Sequence, residues 1–225
     1  MRTLRSLAAI GTFALAFVAA TMVSASTAEQ RIVEKARVVV EEFRDDPNFK
    51  AVPVYIRHAY GVVIVPNMLE GGFILGARYG RGTLLVRNAQ SGEWSPPIFV
   101  QVAGGSIGLQ IGGQSVDLVI TLMNEGAVRN VLDANFKIGA GAKGALGPVG
   151  AGIGAGTTLN FGEDAYFFAR GQGLFAGLAV DGTAIWPDDE AMQAYYGRRV
   201  TISELLNHMV DDPQSSGLRQ ALAAF

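Results

Sequence analysis

Two glycine-flanked motifs in this chain have the spacing of reactive loops. Gly104-Gly105-Ser106-Ile107-Gly108 reads G-x-S-x-G, the pattern in which a serine on a strand-to-helix turn attacks an acyl carbon while a histidine takes its proton. That chemistry needs a helix straight after the serine. Here Ile107, Leu109 and Ile111 alternate with Gly108, Gln110 and Gly112, which is a strand period. The only histidine downstream is His208, in a helical C-terminal tail. A hydrolase built on Ser106 therefore stays as an alternative and no more. Gly139-Ala140-Gly141-Ala142-Lys143-Gly144 reads G-x-G-x-x-G, with Glu163 placed beyond it as a dinucleotide site places its acid. That loop works by opening a helix whose N-terminus holds pyrophosphate. Gly147, Pro148, Gly150, Gly152 and Gly154 do not permit such a helix. His58 and His208 are the only histidines and there is no cysteine, so thiol chemistry, disulfides and Cys-ligated metals are out. Asp188, Asp189 and Glu190 read as an acidic helix start and require no ion. No catalytic residue, metal ligand or cofactor is expected.

The chemistry that remains is recognition by charge and by apolar surface. With 49% hydrophobic and 17% charged residues over 225 positions, the chain fits an ordinary domain with much buried sheet. Residues 1 to about 25 read as a secretory signal peptide. Arg2 and Arg5 precede the apolar run Leu7 to Val18, and Val23-Ser24-Ala25 or Ser26-Thr27-Ala28 offers the cleavage site. An uncleaved anchor is the rival, although the run is short for a span. Export without cysteine points to a bacterial periplasm or envelope surface. Loss of Arg2 and Arg5 leaves 16 basic against 20 acidic residues, a net charge of −4, so any anion site must be a local basic cluster.

The elements that would position such a site follow from periodicity. Glu29 to Arg44 predicts an amphipathic helix, with Ile32, Val33, Ala36, Val39, Val40 and Phe43 on one face and Thr27 as N-cap. Arg31 and Lys35 flank one edge of that face, Arg37 and Arg44 the other, and Val38 alone lies on the polar side. A short helix is expected from Pro53, carrying His58. GVVIVP, GGFILGARYG, GTLLVRN, PPIFVQVAG, SIGLQIGG and QSVDLVITLM then read as short antiparallel strands. Gly80-Arg81-Gly82 is expected to be a turn, as is Asn88 to Trp94. Asn124 to Leu132 predicts a helix. Phe136 to Thr158 carries glycine at every second position from Gly150 to Gly156, which leaves one strand face bare for close approach. AYFFA, LFAGLAV and TAIW are further strands, and Pro187 to Tyr196 and Ile202 to Met209 are helical.

The ordered run GVVIVP, GGFILGARYGRGTLLVR, GEWSPPIFVQVAGGSIGLQIGGQSVDLVI, GPVGAGIGAG, ARGQGLFAGLAVDG and YYG resembles the SYLF family, also called Ysc84-type, from about Ala28 to Leu206. The resemblance implies a lipid-binding domain without enzymatic activity. Eukaryotic members bind phosphoinositides and, in fungi, actin, and some contact membrane through the N-terminal helix. That carries Arg31, Lys35, Arg37 and Arg44 over as lipid contacts. Arg78, Arg81 and Lys143 are expected to join them in holding headgroup phosphate.

The expected fold is α+β. A strongly bent, Gly-rich antiparallel sheet or small barrel is covered by the N-terminal amphipathic helix and C-terminal helices, in a single domain of residues 26–225. The expected partner is anionic phospholipid of the envelope rather than nucleic acid. The exported address puts actin out of reach. The alternative is an envelope interaction module that pairs with a protein through its Gly-rich strands.

Overall fold

The computed structural model describes residues 27–72, 75–107, 112–148, 161–171 and 182–225. The signal-peptide expectation, the alternating glycines from Gly150 to Gly156 and the strand expected at Leu174 to Val180 lie outside the described residues.

Helix α1 (Ala28–Asp45) buries Val33, Ala36, Val39, Val40 and Phe43 along one face, as its 3.6-residue period requires. Thr27 caps it, accepting the Gln30 N–H at 3.1 Å. Pro47 opens a single 3₁₀ turn, and α2 (Val52–His58) follows with Pro53 in its first turn. Four long strands come next: β1 (Gly61–Gly72), β2 (Leu75–Val86), β3 (Ile98–Ile107) and β4 (Gly112–Leu122). Then come α3 (Glu125–Leu132), β5 (Phe136–Lys137), β6 (Gly144–Leu146), β7 (Ala165–Gly171), β8 (Ala184–Pro187), α4 (Asp189–Tyr196), α5 (Ile202–Leu206) and α6 (Ser216–Ala223). This is the expected α+β architecture.

The strands form one curled sheet in the order β5-β8-β3-β2-β1-β4-β7-β6. Pairing is antiparallel except between β6 and β7, which run parallel. A bridge between Ile138 and Ala142 joins the chain beside β5 to the chain beside β6. The two edge strands are thereby linked at one end of the sheet.

The six short strands expected before Asn124 are in fact four long ones, and Gly80-Arg81-Gly82 is the interior of β2 rather than a turn. The reason lies on the neighbouring strand. β1 carries a bulge between Val65 and Met68, with Asn67 at φ 51°, which pushes its backbone toward β2. A Cβ on Gly82 would sit 2.1 Å from the Ile64 carbonyl oxygen, and one on Gly80 would sit 2.5 Å from Val65 Cγ1. Glycine is there for close approach.

Strand alternation gives the sheet two faces. Val62, Ile64, Leu85, Phe99, Val119 and Phe168 point to the helix side, where α1, α2 and α4 cover them. Val63, Val65, Val102, Leu118, Phe167 and Ile185 fill the inside of the curl. All twelve are buried.

The C-terminal helices bring together a buried tyrosine, Tyr195, and a partly buried one, Tyr196. Tyr195 donates to Asp212 Oδ1 at 3.0 Å and Tyr196 to the Pro97 carbonyl at 2.8 Å. Burial, and then the Asp212 carboxylate, raise both phenols above their ordinary value of 10.0. A raised folded value means that neutral tyrosine stabilises the fold fully below about pH 10. That contribution is lost as the pH climbs toward the folded value. Stability in urea is expected to fall above pH 10, and Tyr195→Phe with Tyr196→Phe is expected to flatten that fall.

Candidate functional site

The basic residues singled out by the sequence do not converge. Arg81 lies beneath the start of α1, bonded to Asp188 Oδ2 at 3.0 Å and 3.5 Å from Glu29. It ties α1 and the N-cap of α4 to β2. Asp188 accepts the Ala191 N–H there, so the acidic run is a helix cap. Arg37 grips Glu41 through both carboxylate oxygens, at 2.7 and 2.9 Å. Arg44 pairs with Asp45 at 2.9 Å. Arg78 is 3% exposed and points into the curl, where Nη2 donates to Thr183 Oγ1 at 3.1 Å. Burial lowers its pKa and the Glu70 carboxylate opposes that lowering. Lys143 is exposed near the start of β6, its backbone N–H held by Asp164 at 2.7 Å. Arg31 and Lys35 remain as exposed cations on α1.

Helix geometry places those two together. At about 3.6 residues per turn, Arg31, Lys35, Val38 and Glu42 share one flank of α1, while Arg37 and Glu41 share the other. Two contacts orient the flanks. Arg37 faces α6, since a Cβ on Gly217 would approach its Cδ to 3.0 Å. Glu42 pairs with Arg170 near the end of β7, and Arg170 lies 3.8 Å from Asp117 of β4. The Arg31 flank therefore looks along the sheet toward the ends of β1 and β7.

Among the described residues no helix lies over that part of the sheet. Leu69 is 65% and Tyr79 45% exposed on the helix-side face. They stand opposite each other in register on β1 and β2. With Ala77 and Ser115 they line a shallow trough of about 570 Å³. Val38, on the same flank as the two cations, is 41% exposed. The sequence missed Leu69 and Tyr79, because reading β1 and β2 as shorter pieces hid the alternation that puts them on this face.

The residues of the catalytic-looking motifs are placed by the same sheet. Ser106 lies within β3 opposite Gly76, in a strand and not on a strand-to-helix turn. The third glycine of G-x-G-x-x-G opens β6, a strand. His58 bonds the Val54 carbonyl through Nδ1 at 2.8 Å and stacks on Phe161. Among the described residues no cluster of His, Asp and Glu could hold a metal, and no helix is long and apolar enough to cross a membrane.

Comparison with known proteins adds the lineage. The sequence model of the family described as Las17-binding protein actin regulator, Ysc84, matches residues 103–225. The chain belongs to the Ysc84 family. Among similar Ysc84 proteins, the SH3 domain-containing YSC84-like protein 1 of Xenopus laevis is 31% identical over 170 residues, 73% of this chain and 50% of the relative. Protein YSC84 of Saccharomyces cerevisiae is 30% identical over 171 residues, 74% of this chain and 36% of the relative. The SH3 domain-containing YSC84-like protein 1 of Mus musculus is 28% identical over 200 residues, 85% of this chain and 58% of the relative. The chain thus spans about half the length, or less, of the first two relatives.

Proposed function

We propose that this Ysc84 protein is a non-enzymatic binding module that seats on anionic phospholipid at the bacterial envelope. The reading rests on the exposed side chains of Arg31, Lys35 and Val38 on one flank of α1, and of Leu69 and Tyr79 on the sheet face toward which that flank looks. Two cations beside apolar side chains match the layering of a membrane surface, where phosphate lies above acyl chain. Arg37, Arg44 and Arg81 are committed to carboxylates of this chain, and Arg78 is enclosed. The lipid contact is assigned to Arg31 and Lys35, which are exposed together on one flank of α1. The chain's net acidity makes this contact local and shallow.

The test is co-sedimentation with vesicles of anionic or neutral phospholipid at low and high salt. Binding is expected to need anionic lipid and to fade with salt. Arg31→Glu with Lys35→Glu is expected to cut it about tenfold or more, at roughly 1 kcal/mol per cation. Leu69→Ser with Tyr79→Ser should weaken binding at both salt concentrations. The competing reading is a protein partner on the same surface, since the family description names Las17. It is favoured if no vesicle captures the protein.

A further inference from the structure

A second concavity lies at the opposite end of β1 and β2, away from the lipid-facing surface. Tyr60, Val86, Arg87, Val128, Leu132 and Ile202 contribute to a groove of about 420 Å³. That size is within the ~300–1,000 Å³ of small-molecule sites. α3 forms one wall, the end of β2 the other, and α5 closes it with Ile202.

Arg87 is the odd member of this wall. Arg37, Arg44, Arg81, Arg170 and Arg198 all pair with carboxylates. Among the described residues no carboxylate pairs with Arg87. Its Nη2 and Nη1 donate to the carbonyls of Ile56 and Arg57 at 2.9 and 3.3 Å, at the end of α2. Its guanidinium lies 4.4 Å from the Trp94 ring centroid. Nε is buried and makes no hydrogen bond. Burial also lowers its pKa. The arginine is thus fixed in place while its positive charge is uncompensated. Glu125, Arg129 and Asp133 also line the groove, but they are exposed along α3, where water screens them. Their two carboxylates repel a ligand with several negative charges and leave a single buried head as the acceptable one.

We propose that this groove binds a small amphipathic monoanion, its acidic head against Arg87 and its apolar body along Val86, Val128, Leu132 and Ile202. The head is a carboxylate or a phosphodiester, each carrying one negative charge at neutral pH, as in a free fatty acid or a lysophospholipid. Guanidinium binds either through paired N–H donors.

Calorimetric titration of the purified protein with dodecanoate, the diester methyl dodecyl phosphate, and dodecanol tests this. At least one anion is expected to bind about tenfold or more tightly than the alcohol, the worth of a charge-assisted contact. A stronger carboxylate points to a fatty-acid source, and a stronger phosphate to a lysophospholipid. Leu132→Trp and Ile202→Trp, which fill the groove from different helices, are each expected to weaken the anion about tenfold with the thermal transition retained. Arg87→Lys should erase the preference over dodecanol more than it weakens dodecanol itself. Equal binding of alcohol and acid, no binding of either anion, or full affinity in folded Leu132→Trp and Ile202→Trp would overturn the proposal. The Arg31→Glu, Lys35→Glu variant is expected to keep full dodecanoate affinity, so failure at this groove and failure at the vesicle surface read out separately.

Discussion

Glu70→Ala is expected to destabilise the protein by about 3 kcal/mol, because it removes the carboxylate whose charge opposes the cost of burying the Arg78 guanidinium. Glu70 and Arg78 face each other in register on β1 and β2, at 6% and 3% exposure. They sit inside a curl otherwise filled by valine, leucine, methionine and phenylalanine. The guanidinium also lies directly over the backbone of Gly104, where a Cβ would come within 2.6 Å of Nε. Arg78 cannot move aside to reach water. Urea denaturation would show the loss as a lower midpoint at unchanged slope. The double change Glu70→Leu with Arg78→Met should recover most of the loss or exceed wild type, since two matched apolar groups replace a desolvated pair. Vesicle binding of that double variant should equal wild type, which separates Arg78 as a fold element from Arg31 and Lys35 as contacts. A loss under about 1 kcal/mol in Glu70→Ala would mean that Arg78 is neutralised elsewhere.

Phe43→Ala is expected to cost about 3–5 kcal/mol as well. Phe43 has no exposed surface and packs edge-on against Phe49 with ring centroids 4.6 Å apart. The loss would be read by thermal and urea melts, but its effect on vesicle binding carries more. If α1 had to swing out to reach lipid, loosening its dock would increase binding. A swinging helix exchanges one apolar environment for another, yet it strips cover from Val62, Ile64, Leu85 and Val119 of the sheet. Each of those burials is worth roughly 1.5–3 kcal/mol, and nothing in the bilayer replaces them. The ion pairs of Arg81 with Glu29 and of Arg170 with Glu42 hold α1 at both ends. Vesicle binding per folded molecule is therefore expected to be unchanged in Phe43→Ala. Increased binding would show that α1 leaves the sheet.

The sequence carries α1 almost to the residue, because a single amphipathic period with a threonine cap is a local signal. It carries α3 and the Asn88 to Trp94 turn for the same reason. Gly80 and Gly82 misled because a glycine between apolar runs marks a turn only when nothing else explains it. Here the explanation is the β1 bulge at Asn67, fifteen positions from Gly82. The parallel β6–β7 pair was equally out of reach, since it depends on where the sheet curls round. The cations show the same divide. Arg31 and Lys35 could be assigned to one flank from helical spacing alone. That Arg81 serves Asp188, and that Arg78 points inward, are facts of pairing between distant strands and helices. Charge type was legible in the sequence, but its availability was not.

The strand order has a kinetic consequence. β8, at residues 184–187, pairs with β3 at Val100 to Ala103 on one side and with β5 at Phe136 and Lys137 on the other. The central β1–β2 hairpin can zip locally, as can β3 onto β2. The β5 side of the sheet has nothing to attach to until four-fifths of the chain has been made. Such distant pairings close large loops before any contact rewards them, which makes this sheet a slow folder compared with a fold built from local contacts. A chain leaving the ribosome thus spends its early life as a β1–β4 Greek key, ordered β3-β2-β1-β4, with open sides. α1, made first, cannot find its full sheet until β7 arrives. Assembly of this protein is a late, cooperative event set by its C-terminal third, and truncations there should abolish folding altogether rather than trim it.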